Sequence, residues 1–386
     1  MRILHLVDSL DPAAGGPPAV ALRLAAAQAA IGHDASVVGY CGNCSDAMLR
    51  NSLASIPFID RTKVHILPAA SRLERLTGFG IPNKLSPLLS DTDILQIHGL
   101  WEQLVFVGAR LAQRSGIPYV VTPHGMLDHW SMAQRRLKKR LALAIAYRRF
   151  LDHARYLHVL NTHESNAIKD LGIFFPMETI PNGIFMEENE SRHDIDRFRS
   201  RHPYLGQNPY ILFLGRLHYK KGLDYLIDAF HIVAARNESV QLVVIGPDGG
   251  ERDSFQARVR KLQLTTRVHM VEAVYGADKY DALHGASCFC LPSRQEGSSL
   301  AVLEAMSCGI PVVISEACHF PDVADSNAGF VVPLVSEIIA QALISAISDD
   351  ALRERMGCNG KSLVKEKYTW TAVAKQCVDN YERYLY

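Results

Sequence analysis

The stretch Arg294-Gln-Glu-Gly-Ser-Ser-Leu-Ala-Val-Leu-Glu304 lies between two short apolar segments, Cys288-Phe-Cys-Leu-Pro292 and Pro311-Val-Val-Ile-Ser315, each of which reads as a strand. Gly309 stops the helix between them. Strand, loop, helix and strand in this order are the repeating unit of an open α/β sheet, whose ligands bind in the loops beyond the carboxyl ends of strands. Glu296 falls in such a loop. Ser298 or Ser299 is placed to cap the helix, so its first amide N–H groups face the loop and, with the helix dipole, favour an anion. Glu304 lies further along the helix, within reach of a neutral polyol. A carboxylate beside an anion site and a second on the helix suit a sugar joined to a nucleoside diphosphate.

Seven residues separate Glu296 from Glu304. Such a pair is common by chance, and Glu304 alone also fits a solvated helix face. The flanking Pro292-Ser293 and Ala305-Met-Ser-Cys-Gly-Ile-Pro311 shift that balance. With them the stretch resembles the E-x7-E motif of retaining glycosyltransferases of family 4, which have the GT-B fold. The resemblance implies two Rossmann-like α/β domains facing across a cleft. It also implies hexosyl transfer from a nucleotide sugar with retention and same-face attack, the leaving phosphate taking the acceptor's proton. No metal or other cofactor is required on that scheme, because fixed cations do the electrostatic work.

The chain has 386 residues, 48% of them apolar, and a formal net charge of +1. This favours two globular domains and gives no global field for nucleic acid. No apolar run is long enough to cross a bilayer, and Met1-Arg-Ile-Leu-His-Leu-Val-Asp8 lacks a signal-peptide pattern, so a cytoplasmic location is expected. Of the eight cysteines, Cys288, Cys290 and Cys308 lie in apolar segments, and Cys41-Gly-Asn-Cys44 lacks the further ligands of a metal site. No disulfide is expected.

In the first half, Arg2-Ile-Leu-His-Leu-Val7 reads as a buried strand. The loop Asp11-Pro-Ala-Ala-Gly-Gly-Pro17 leads to a helix ending near Ile31. No G-x-G-x-x-G follows, which argues against a dehydrogenase. Gly15 and Gly16 allow close approach of a ligand, or form an ordinary turn. Asp91-Thr-Asp93 precedes the strand Ile94-Leu-Gln-Ile-His98 and reads as a turn with polar caps, not a metal-binding D-x-D. Tyr119-Val-Val-Thr122 is a strand with Pro123-His-Gly-Met126 at its carboxyl end, where His124 can donate a hydrogen bond to a ligand. The family carries a histidine in a similar H-G loop, which implies that His124 contacts the donor sugar. The basic helix over 134–149 suits a solvated face, an anionic membrane surface or a pyrophosphate-bearing acceptor. The segment Pro181-Asn-Gly183 resembles the close of a GT-B N-terminal domain.

Residues 186–208 are polar and read as a linker. The expected domains are 1–185, completed by a terminal helix over 370–386, and 186–369. In the second, Gly215-Arg-Leu-His-Tyr-Lys-Lys-Gly222 resembles the family's G-R-L-x-x-x-K-G. Arg216 and Lys221 after a strand can hold a diphosphate and stabilise the departing charge. By resemblance the sugar is held by Glu296 with the amides of Gly297, Ser298, Ser299 and Leu300, the ribose by Glu304, and the phosphates lie near Gly215 and Gly15-Gly16. The loop with Tyr275 meets the base. A UDP-hexose, UDP-glucose above all, is the expected donor, and a lipid-linked saccharide of exopolysaccharide synthesis the expected acceptor. Two rivals remain: a nucleotide-sugar 2-epimerase of the same fold, and a non-catalytic sugar-binding protein.

Overall fold

The computed structural model describes residues 1–42, 44–190, 194–274 and 276–385. Two sheets organise them, in two units comprising Met1–Asn182 with Trp370–Tyr386, and Gly183–Thr369.

Unit 1 holds β1 (Arg2–Ser9), β2 (Asp34–Tyr40), β3 (Lys63–Leu67), β4 (Ile94–His98), β5 (Tyr119–Thr122), β6 (Leu157–Val159) and β7 (Met177–Thr179). They form one sheet in the order β3-β2-β1-β4-β5-β6-β7, every pairing parallel. Helices cover parallel sheets on both faces, so central strands are buried throughout. All of β4 and β5 is buried, including Gln96 and His98. The helix Gly16–Ala30 follows β1, with Pro17 and Pro18 in its first turn. The helix Trp370–Leu385 packs beside it and buries Trp370 and Tyr381. Asp93 accepts from the backbone N–H of Arg2 at 2.8 Å and pairs with its guanidinium, so the Asp91–Asp93 turn ties β1 to β4. Within 43–63, where the sequence suggested nothing regular, Asp46–Ala54 is helical.

The basic helix is not continuous. Arg135 is left-handed (φ 54°), and regular helix runs over Arg136–Ala142 before a wider turn at Leu143–Tyr147. Tyr147, Phe150 and Leu151 face the core, whereas Leu137, Leu141 and Ile145 are 85%, 62% and 73% exposed.

Unit 2 holds β8 (Tyr210–Leu214), β9 (Gln241–Ile245), β10 (Val268–Val271), β11 (Cys288–Leu291), β12 (Val312–Ser315) and β13 (Gly329–Val332). Their order is β10-β9-β8-β11-β12-β13, again all parallel. The expected linker over 186–208 is instead part of this unit. Met186–Glu190 and Ile195–Arg201 are helical, and Phe198 and Leu205 are buried in the core, because each supplies an apolar side chain to an otherwise polar segment.

In each sheet the chain winds outward from a central pair in both directions: β1 and β4 in unit 1, β8 and β11 in unit 2. In open α/β sheets the loops leaving such a pair diverge, and ligands bind in the crevice between them. In unit 2 two of these loops touch through Gly222. Its backbone is left-handed (φ 65°), and a Cβ there would stand 1.9 Å from the carbonyl oxygen of Pro292, at the end of β11. Replacement of Gly222 by Ala is expected to lower stability by roughly 1–3 kcal/mol and to shift the urea midpoint down. An unchanged midpoint would show that the two loops separate freely.

Candidate active site

Each sheet carries a polar cluster on the loops leaving its central strands. In unit 2 the loop after β8 runs through Gly215 and the exposed Arg216 to a single 3-10 turn, Tyr219–Lys221. Arg216 lies over Gly249, where a Cβ would meet its Cγ at 2.9 Å. Lys221 Nζ lies 2.6 Å from Glu296 Oε1, the two side chains being only 22% and 11% exposed. Ser293 Oγ donates to the same carboxylate oxygen at 2.6 Å. The backbone N–H of Glu296 donates to the Ala317 carbonyl at 3.0 Å, fixing the loop against the segment after β12. A largely buried ammonium and carboxylate thus stand side by side beyond the carboxyl ends of β8 and β11.

Arg294 holds this arrangement. Its guanidinium pairs with Asp224 at 2.6 Å, donates to the Tyr219 carbonyl at 2.8 Å and stacks 4.0 Å from the Tyr219 ring centroid. Its backbone N–H donates to the Lys220 carbonyl. One side chain therefore clamps the loop bearing Lys221 to the loop bearing Glu296. The sequence reading gave it no role; its position two residues before Glu296 was the available signal.

The helix Leu300–Ser307 begins four residues after Glu296. Ser299, one of the two serines expected to cap this helix, occupies the N-cap, and its hydroxyl makes no capping bond. The amino-terminal amides thus lack that internal acceptor. Glu304 does not stand on a solvated face: it pairs with Lys279 at 2.8 Å, both side chains being under 15% exposed. Lys279, from the helix Ala277–His284, was missed, having no motif around it. Tyr275 lies outside the described residues.

In unit 1, Gly15 (φ 105°) precedes the helix Gly16–Ala30, and a Cβ on Gly16 would meet nothing within 4 Å. His124 follows β5 in a left-handed conformation, φ 53°. Glu164 holds the loop there, accepting from the Gly125 N–H at 2.5 Å and the Leu160 N–H at 2.7 Å. Burial raises its carboxyl to about 7. Behind His124 lie three more histidines, which the sequence reading passed over. His98 Nδ1 is 3.0 Å from His124 Nε2, and His98 Nε2 is 2.9 Å from His5 Nδ1. His158 stands nearby on β6. Each has an apolar residue beside it in a buried stretch of strand, and a polar residue in such a stretch is itself a signal. Desolvation lowers His5 and His158 to about 4 and His124 to about 3, and holds His98 well below the usual 6.5, so all four are neutral near pH 7.

Residues 15–183 match the family model of the glycosyl transferase 4-like domain, and residues 194–363 that of glycosyl transferases group 1. A phosphatidyl-myo-inositol mannosyltransferase of Mycobacterium tuberculosis is 32% identical over 231 residues, 56% of this chain and 58% of that protein. A mannosylfructose-phosphate synthase of Agrobacterium fabrum is 26% identical over 292 residues, 70% of this chain and 64% of its own length. The chain thus spans somewhat more than half the length of these curated relatives. Among solved structures, Anabaena HepE in complex with UDP-glucose superposes with a TM-score of 0.79 at 20% identity, covering 99% of this chain and 100% of the other. Sucrose-phosphate synthase from Thermosynechococcus elongatus does so with 0.75 at 19%, covering 99% of each. The fold is GT-B.

The neutral histidines give unit 1 a pH dependence. An unfolded histidine takes up its proton near 6.5, while folded His5 and His158 do so only near 4, His124 near 3, and His98 well below 6.5. Stability is therefore lost as pH falls from about 6.5 toward 4, by roughly 1.4 kcal/mol per pH unit for each histidine. Glu164 acts oppositely: its folded value lies above the unfolded 4.5, so its contribution is lost as pH rises from 4.5 to 7. Four groups outweigh one. Urea unfolding monitored at pH 7, 6 and 5 should show a steep decline, and a flat profile would show that the histidines accept protons in the folded state.

Proposed function

We propose that this chain, a family 4-like protein with the GT-B fold, moves a hexose from a nucleotide sugar to a hydroxyl acceptor with retention. The observation that carries the proposal is the Lys221–Glu296 pair beside the amino end of the helix Leu300–Ser307. Lys221 and Arg216 take the diphosphate. Glu296 and the amides from Gly297 to Leu300 take the sugar hydroxyls. Glu304, oriented by Lys279, takes the ribose. His124 meets a sugar hydroxyl, and Gly15-Gly16 lets a ligand approach the start of its helix closely.

On this proposal the bond between the anomeric carbon and the diphosphate oxygen breaks first. The cations neutralise the charge that develops on that oxygen, an interaction strongest in the transition state. The acceptor oxygen then bonds to the anomeric carbon from the same face, and its proton passes to the leaving phosphate. Lys221 is held by Glu296 before any donor arrives, so its charge is preorganised. A UDP-hexose is the donor first expected. The mannosyltransferases among the relatives favour GDP-mannose as a second reading.

Labelled UDP-glucose, UDP-galactose and GDP-mannose, each incubated with the protein in EDTA, test this. Slow hydrolysis of one donor is expected. Epimer formation would make the protein an isomerase, and binding without turnover would make it a binding protein. With the donor so identified, Lys221→Ala should lower kcat roughly 10²-fold or more while raising KM less. A change in KM alone would reduce Lys221 to an anchor.

The proposal extends to the acceptor. Among the described residues no helix is long and apolar enough to cross a membrane. Leu137, Leu141 and Ile145 nonetheless form an exposed apolar stripe at four-residue spacing, next to Arg136, Lys138 and Arg140. That combination suits an anionic lipid surface, as a lipid-linked acceptor of polysaccharide synthesis requires. Sedimentation with phosphatidylglycerol vesicles should exceed that with phosphatidylcholine and weaken with salt. Replacing the three apolar residues by Ser should abolish it, and equal sedimentation of this variant would locate lipid contact elsewhere.

A further inference from the structure

The four histidines belong to a longer polar run buried in unit 1, and the run has a direction. It begins at the Ile180 carbonyl, 2.8 Å from His158 Nε2. A carbonyl oxygen only accepts, so the His158 proton is on Nε2 and Nδ1 carries the lone pair. Nδ1 is 3.2 Å from the side-chain amide of Gln96, which must present its NH₂ there. The other N–H of that group donates to Thr122 Oγ1 at 2.7 Å. The carbonyl of Gln96 is thereby turned to Tyr381, whose hydroxyl donates to it at 2.7 Å. With its single proton committed, Tyr381 accepts from Gln28 Nε2 at 3.2 Å. Gln28 Oε1 then faces His5 Nε2 at 2.7 Å, so His5 donates from Nε2 and accepts at Nδ1. His98 donates to His5 from Nε2 and accepts at Nδ1. The donor to His98 is His124 Nε2.

Each step leaves the next group one arrangement. Reversing any member sets two lone pairs or two N–H groups face to face, in a region where His5, Gln28, Gln96, His98, His158 and Tyr381 are all at most 2% exposed. The low basicity of the rings closes the other escape, a doubly protonated imidazole.

We propose that this run fixes His124 as its Nε2–H tautomer, with Nδ1 presented as a hydrogen-bond acceptor and Tyr381 of the C-terminal helix acting as a positioning residue. The sequence reading had His124 donating to a ligand. The run spends its one proton on His98 instead, and what Nδ1 can recognise is a donor. A hydroxyl fits; a phosphate oxygen or a carbonyl does not. Resting on the proposed hexosyl transfer, the selected group is a sugar hydroxyl, and His124 is unsuited to hold the diphosphate.

Ring ¹⁵N spectra of the full chain test the tautomer without requiring turnover, so failure of the transferase reading leaves this result readable. In ¹⁵N-histidine-labelled protein at pH 7, His124, assigned by the loss of its signals in His124→Asn, should show a protonated Nε2 and a bare Nδ1. A proton on Nδ1, or on both nitrogens, would overturn the proposal. Tyr381→Phe removes the central hydroxyl, and His124 should then show a mixture of tautomers while His158, still facing the Ile180 carbonyl, keeps its Nε2–H form. A pure Nε2–H form at His124 in this variant would show that the run does not set it. Gln28→Met gives the same decision where Tyr381→Phe does not fold, and the wild-type spectrum stands by itself in either case.

Discussion

Contact between the Gly222 backbone and the Pro292 carbonyl underlies everything unit 2 can do. Any side chain at 222 would force the two loops apart. Only because they touch does Lys221, at the end of one, reach Glu296, four residues beyond the contact on the other. Arg294 completes the joint, its planar fork engaging Asp224 and its face lying on Tyr219. A lysine there would supply the charge but neither the fork nor the plane.

The ammonium and carboxylate are opposite charges placed where solvent is partly excluded. Their attraction is stronger there than in water, though part of it offsets lost hydration. The pair costs little flexibility at the moment a substrate binds, because both ends are already held: Lys221 by its turn, and Glu296 by Ser293 and the Ala317 carbonyl. A carboxylate with one oxygen engaged in this way still has acceptor capacity on the other.

Much of this was legible in the residues. Continuous apolar runs marked the parallel strands, and the glycines flanking Arg216 and Lys221 marked a loop of fixed shape. The placement of Glu296 followed from the strand before it and the helix after it. What escaped were partners supplied from a distance in the chain. Lys279 meets Glu304 from a different helix, and nothing local to either announces the other. The polar run in unit 1 joins residues as far apart as Gln28 and Tyr381, which only the sheet order and a returning helix bring together. The segment 186–208 misled for the opposite reason. Its surface positions are polar, and the few apolar residues that dock it, Phe198 and Leu205, are too sparse to show a period.

That returning helix has a consequence for the order of assembly. Residues 183–369 form a continuous segment, so unit 2 has all its parts as soon as they have been synthesised. Unit 1 does not. Its first 182 residues leave the ribosome with Gln28 and Gln96 lacking the hydroxyl that joins them, and Tyr381 arrives only after the whole of unit 2. Domains fold as units during synthesis, generally from the amino terminus, but here the amino-terminal one must wait, with a gap among its buried polar groups, for residues made after unit 2. The orientation of His124 is thereby tied to synthesis of the helix Trp370–Leu385, and a chain truncated before residue 381 would carry every other residue of the run without the hydroxyl that passes its direction from Gln96 to Gln28.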